Sequence, residues 1–201
     1  MKIRETLPTI VTMGNIICGF SSILCTSNYQ FEAAAWLIVA AMALDAFDGR
    51  LARMMKSVSK IGAQLDSMAD LVTFGIAPAI LMIKTCTNFP VFFLWGVGLF
   101  FMICAAFRLA RFNIQKDEGA IISRHFFTGL PTTLSGGTIA QLVILNYFIQ
   151  IKFDADIVEM LLPFITFALG LFMVSNVPFF NITGKIGIKQ GVWFMVLEFS
   201  A

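Results

Sequence analysis

Charge is what this 201-residue chain has least of: Asp, Glu, Lys and Arg make up 13% of it, where a soluble domain carries about a quarter. So few ionic groups cannot cover a water-facing surface, which excludes an ordinary soluble fold. The net charge of +2 comes without a basic arm or an arginine-rich tract, so nucleic acid is excluded as a partner. Histidine occurs once, at His125, and the four cysteines, Cys18, Cys25, Cys86 and Cys104, form no CxxC pair. A His/Cys metal centre and a disulfide framework are therefore not expected, and the cysteines read as free thiols in apolar runs. Internal repeats and low-complexity linkers are also missing, so residues 1–201 read as one domain. The segment before the first apolar run lacks a small-residue cleavage site, and the first helix is expected to stay in the protein.

Hydrophobic sequence fills the space that charge leaves, at 58% of residues and a mean hydropathy of +0.85. A hydrocarbon core about 30 Å thick takes about 20 helical residues to cross, and six stretches approach that length: about 7–27, 31–53, 62–84, 90–112, 129–150 and 155–177. The expected fold is all-α, a polytopic membrane protein with six transmembrane helices. On one side of this arrangement lie Lys2, Arg4, Arg50, Arg53, Lys56, Lys60, Arg108, Arg111, Lys116, Arg124, Lys185 and Lys189; on the other lie only Lys84 and Lys152. Basic residues concentrate on the cytoplasmic side, which assigns both termini and the charged ends of helices two and three to the cytoplasm of a cell-membrane protein. The connection at about 113–128 lies on that side too and holds His125, read as a solvated loop residue. The tail at 191–201 receives no role.

Chemistry concentrates between Asp45 and Asp70, in DAFDGRLARMMKSVSKIGAQLDSMAD. Asp45 and Asp48 are three apart and Asp66 and Asp70 four apart, so on helices each pair shares a face. Two helices joined by a short loop then turn four carboxylates toward one another. An Asp at mid-membrane costs about 2.5–3.5 kcal/mol, and like charges add repulsion, so a cation has to neutralise them. Oxygen-only ligands select Mg²⁺, Mn²⁺ or Ca²⁺ over zinc, and two such ions suit phosphoryl chemistry. Gly49 and Ala52 continue the aspartate face of helix two, and Gly62, Ala69, Thr73 and Ala77 keep helix three slim. A groove lined by small residues admits a flat base or a diphosphate close to the backbone, and Arg53 offers a forked cation to phosphate oxygens.

The order Asp45, Asp48-Gly49, Ala52-Arg53, Gly62, Asp66, Asp70, with eight residues between Arg53 and Gly62, resembles the signature of the CDP-alcohol phosphotransferase family position by position. Within it the chain is most similar to the phosphatidylserine synthases, through Gln64-Leu65-Asp66-Ser67, Ala69-Asp70, Phe74-Gly75, Ala77-Pro78, Arg108 to Asn113, Gly129-Leu130-Pro131 and Met173-Val174-Ser175. This resemblance implies a homodimer of six-helix protomers with two divalent cations and a lipid-accessible cavity open to the cytoplasm. It also implies metal ligation by Asp45, Asp48 and Asp66, with Asp70 a ligand or the general base. Gly49, Ala52, Arg53 and Gly62 would surround the CDP group, with Asn15 of the first helix as a further nucleotide contact. The implied reaction moves a phosphatidyl group from CDP-diacylglycerol, or its CDP-archaeol counterpart, to L-serine and releases CMP.

Arg108 and Arg111, three apart at the end of helix four, can both face the aspartate groove. Arg111 is the candidate for the serine carboxylate and Arg108 for a lipid or nucleotide phosphate, since a guanidinium meets either anion with paired hydrogen bonds. Two other readings stay open. Glycerol 3-phosphate or an inositol phosphate could replace serine as acceptor, with the arginines meeting the extra phosphate. A cation transporter could use the acidic cluster as its ion site, although such sites favour broken helices at the midplane and these aspartates stand at helix ends.

Overall fold

Apolar runs punctuated by short polar turns fold here as long antiparallel helices. The structure, a computed structural model, describes residues 3–55, 60–117, 126–153, 157–175 and 178–180, with side chains described for 10–47, 62–114, 129–152 and 157–175. Helix α1 (Ile3–Ser27) turns into α2 (Phe31–Met55) through three residues. The turn is closed by the Gln30 N–H donating to Cys25 O at 2.9 Å, with Tyr29 in the left-handed region at φ 59°. A second rod follows, built from α3 (Lys60–Asp70), a π-helical segment (Leu71–Ile76) and α4 (Ala77–Thr85). Helices α5 (Val91–Asp117), α6 (Thr132–Phe153) and α7 (Ile157–Val174) complete the bundle. The other regular structure among the described residues is a short antiparallel ribbon, β1 (Phe126–Thr128) against β2 (Pro178–Phe180).

Among the described residues, five segments are long and apolar enough to cross a membrane: Ile10–Ser27, Gly62–Thr85, Val91–Ile114, Thr132–Lys152 and Ile157–Val174. Helix α2 has 25 residues, about 37 Å at 1.5 Å per residue, but Glu32 at one end and Asp45 and Asp48 near the other dilute its hydropathy. Of the six spans expected, five are therefore matched among the described residues; α2 has the length of a span but not the composition. Helix α5 also runs on to Asp117, so part of the connection expected at 113–128 is helical. The tail at 191–201 and His125 lie outside the described residues.

The rod expected at 62–84 is not uniformly α-helical, and Pro78 supplies the reason. Proline has no N–H, which leaves the Phe74 carbonyl without its usual i+4 donor. The turn widens, and the Ala77 N–H reaches back five residues to Val72 O, as π-helical segments do. Neighbouring helices approach this wide turn through glycine. A Cβ on Gly136 of α6 would stand 2.6 Å from Phe74 O, and one on Gly19 of α1 would stand 2.9 Å from the Thr73 Cα. Phe74, Thr73 and Ala77 are fully buried at this crossing. In a bilayer, where lipid is as apolar as the helices, such close approach holds a bundle together.

At the end of the bundle where α4 stops, Glu159 in the first turn of α7 accepts hydrogen bonds from the Thr87 N–H (2.5 Å) and hydroxyl (2.8 Å). Lys84 sits 5.7 Å from the Tyr29 ring centroid at the same end. The aspartates stand at the other end.

Packing at the π-helical crossing gives a prediction with opposite signs at two glycines. Gly136→Ala overpacks α6 against Phe74 and should cost about 1–3 kcal/mol, lowering the melting temperature in detergent. Gly96→Ala, whose Cβ meets nothing within 4 Å, should hold or raise it, because alanine gains about 0.5–1 kcal/mol in a helix. Equal melting temperatures for the two variants would remove the crossing as a packing constraint.

Candidate active site

Four helices bring the candidate groups together. Asp45 comes from α2, and Asp66 and Asp70 stand one turn apart on α3. Each is half-buried, and one carboxylate oxygen from each lies within 4.8 Å of the others. Ionised carboxylates at that spacing repel, and the apolar helices around them weaken the screening. Asp48, Gly49, Ala52 and Arg53 contribute backbone to α2, but their side chains lie outside the described residues. Gly62 stands one turn before Asp66 on α3 and is half-buried.

Helix α1 reaches this cluster through Asn15, which is 2% exposed. Its Nδ2 donates to Asp70 Oδ1 at 3.3 Å, and its backbone carbonyl accepts from the Thr73 hydroxyl at 3.1 Å. Its Oδ1 is buried and has no hydrogen-bond partner among the described residues. A buried acceptor left open costs about 1–3 kcal/mol.

Helix α5 supplies the cations. Arg108 is half-buried, and its Nη1 donates to Thr132 Oγ1 of α6 at 3.1 Å. Its guanidinium carbon lies 5.7 Å from the Phe112 ring centroid. The Asp70 and Asp45 carboxylates are near enough to act on it electrostatically. Arg111 follows one turn later and is half-buried. Beyond it, the Asn113 Nδ2 donates to Ser67 Oγ at 3.0 Å, while that hydroxyl lies 3.2 Å from Ala63 O. Ser67 is the neighbour of Asp66, so this contact ties the cationic end of α5 to the acidic helix.

The structure therefore gathers Asp45, Asp66, Asp70, Asn15 and Arg108, with Gly62 and Arg111 within a turn of them. Sequence reasoning gave no role to Ser67, Asn113 or Thr132. Ser67 and Asn113 are polar residues one or two positions from candidate site residues at the ends of apolar runs, which is a usable signal. Nothing local to Thr132 pairs it with an arginine 24 residues earlier.

A divalent cation fits the cluster by its donors: three carboxylates converge, and among the described residues no histidine or cysteine joins them. Hard cations such as Mg²⁺, Mn²⁺ and Ca²⁺ take oxygen ligands of this kind.

Comparison with known proteins agrees with the geometry. The family profile described as CDP-alcohol phosphatidyltransferase matches residues 5–179. A Helicobacter pylori protein named CDP-diacylglycerol–serine O-phosphatidyltransferase is 36% identical over 96% of this chain and 78% of its own length. A Bacillus subtilis protein of the same name is 33% identical over 93% of this chain and 98% of its own length. An archaetidylserine synthase from Methanothermobacter thermautotrophicus is 29% identical over 89% of this chain and 71% of its own.

Cation binding can be tested without turnover. Titration of the detergent-solubilised protein with Mn²⁺, followed by the loss of the free-ion paramagnetic signal, should show binding that Asp45→Asn and Asp66→Asn each weaken at least about tenfold, since a neutral amide replaces a charged ligand. Unchanged titrations in both variants would place the ion away from these carboxylates.

Proposed function

The chain belongs to the CDP-alcohol phosphatidyltransferase family, and from that premise we propose that it transfers a phosphatidyl group from CDP-diacylglycerol to L-serine, yielding phosphatidylserine and CMP. The observation that carries this reading is the convergence of Asp45, Asp66 and Asp70 within reach of the Arg108 charge, in a chain whose relatives are named for serine transfer. CDP-archaeol is the alternative donor and stands on the same acceptor chemistry.

When bound, two divalent cations held by Asp45, Asp48, Asp66 and Asp70 would neutralise the diphosphate and the leaving phosphate. Mg²⁺ and Mn²⁺ are the first candidates, with Ca²⁺ the third. Asp70 takes the proton of the serine hydroxyl as that oxygen bonds to the lipid-bearing phosphorus, and the bond to CMP breaks with its electron pair leaving on CMP. Asn15 orients Asp70, and its open Oδ1 suits a donor such as the amino group of cytosine. Gly49, Ala52 and Gly62 keep the nucleotide close to backbone, and Arg53 meets its phosphates. Arg108 faces a phosphate, and Arg111 the serine carboxylate. None of the signature positions is a Ser, Cys or His that could serve as a covalent nucleophile, so transfer is a single displacement.

The twelve basic residues on the aspartate side against Lys84 and Lys152 on the other support a cytoplasm-facing site. We read α2 as the sixth span, since it packs along α1 and α6 and turns its acidic end into the cluster. The assembly we propose is a homodimer in the cell membrane.

Two expectations test the chemistry. Release of CMP from CDP-diacylglycerol should require serine, vanish on chelation and return with Mg²⁺ or Mn²⁺; exchange of labelled CMP into the lipid without serine, with a trapped lipidated protein, would indicate a two-step route instead. Release with glycerol 3-phosphate but not serine would change the acceptor. Separately, Arg111→Ala should raise KM for serine at least about tenfold, about 1.4 kcal/mol, with KM for the CDP-lipid little changed. Unaltered serine kinetics would leave Arg111 as a helix-end anchor.

A further inference from the structure

Nothing in the helix that Arg108 touches accounts for its placement. Its hydrogen-bond partner, Thr132, is the first residue of α6, and a helix N-terminus carries the positive end of the dipole, which does not favour a cation. Thr132 is nevertheless fully buried, with its hydroxyl oxygen meeting one edge of the guanidinium. The chain leading to it is held in place. Gly129 has a φ of +86°, open to glycine and rarely to other residues, and a Cβ there would lie 2.5 Å from Met173 O. The Leu130 N–H donates to Phe172 O at 3.1 Å, and the Ser135 N–H and hydroxyl both reach Pro131 O at 3.1 Å. The corner before α6 is thus fixed to the end of α7, and it fixes the Thr132 hydroxyl in turn.

Arginine is long and flexible, and ordering it when substrate arrives costs free energy that pre-organisation avoids. Two carboxylates, Asp70 and Asp45, also draw the guanidinium toward themselves. A neutral acceptor on the opposite helix holds one edge of the fork against that pull, and the Phe112 ring flanks it.

We propose that Thr132 is a positioning residue for the transfer reaction: its hydroxyl holds one edge of the Arg108 guanidinium beside the aspartate cluster, so that the remaining N–H groups meet an anionic oxygen of a substrate. On the reading of Arg108 given above that oxygen belongs to the donor diphosphate, and the serine carboxylate is the assignment the test separates from it. The inference rests on the reading of Arg108 as a substrate contact.

Steady-state CMP release by the full chain in mixed micelles tests it, with Thr132→Val, Thr132→Ala, Thr132→Ser, Arg108→Ala and the double variant Arg108→Ala/Thr132→Val. Thr132→Val and Thr132→Ala should each lower kcat/KM at least about tenfold, Thr132→Ser should recover most of the loss, and Thr132→Val should add nothing once Arg108 is alanine. A KM increase confined to the CDP-lipid assigns the oxygen to the diphosphate, and one confined to serine assigns it to the carboxylate. Wild-type kinetics in Thr132→Val and Thr132→Ala beside a strongly impaired Arg108→Ala would overturn the role of Thr132 and leave Arg108 a substrate contact. A loss shared by Thr132→Ser, or one that persists in the Arg108→Ala background, would mean that Thr132 acts by packing and would overturn it too. Wild-type turnover by Arg108→Ala would remove the substrate contact and the positioning role with it.

Discussion

Mutual repulsion of carboxylates inside an apolar bundle is the constraint around which the rest is arranged. Oxygens of Asp45, Asp66 and Asp70 converge within 4.8 Å, and each ionised pair at that spacing repels by at least about 3 kcal/mol at an effective dielectric near 20. Every helix that borders the cluster contributes a compensating group: an amide from Asn15 on α1, and a guanidinium from Arg108 on α5 that α6 holds through Thr132. The three carboxylates could together hold a cation, to which they would offer oxygens.

Hydrophobic collapse cannot hold such a set together, because helices in lipid gain little by burying apolar surface against each other. Close approach and polar contacts do it instead. The rod that carries Asp66 and Asp70 widens into a π-helical segment directly after Asp70, and α1 and α6 press on that segment through Gly19 and Gly136. The Thr73 hydroxyl then bonds to the Asn15 carbonyl, so the residue that orients Asp70 is itself fixed to the helix it serves. Local backbone geometry and site geometry are here one feature.

Helices, their approximate ends and the acidic cluster were legible in the sequence because each depends on spacing along the chain. Apolar runs of about 20 residues report spans, and the three- and four-residue intervals of Asp45, Asp48, Asp66 and Asp70 report shared faces. The π-helical segment was not foreseen, although Pro78 marks the carbonyl that loses its donor; the pattern of small residues read as groove lining is equally a pattern for close helix crossing. Thr132 and the Ser67–Asn113 contact escaped for a different reason. Both join residues on different helices, at separations of 24 and 46, and pairing across a bundle depends on how helices are rotated, which periodicity in one helix does not specify.

Helix α5 shows how those rotations serve a site at a membrane surface. Within one turn it directs Arg108 toward the aspartates and leaves Phe107 65% exposed to the outside of the bundle. On the facing rod, Ser67 bonds to Asn113 while its neighbour Met68 is 63% exposed. On both helices a polar group thus points inward while a large apolar neighbour is exposed. A donor with a charged diphosphate and apolar tails can place each part against the face that suits it. The two polar clasps on α5, Asn113 to α3 and Arg108 to α6, keep that division in register. In a membrane each such interhelical hydrogen bond is worth only about 0.6–2 kcal/mol, so their main effect is on geometry: they set the separation between cation and carboxylate that apolar contacts alone would leave free to slide.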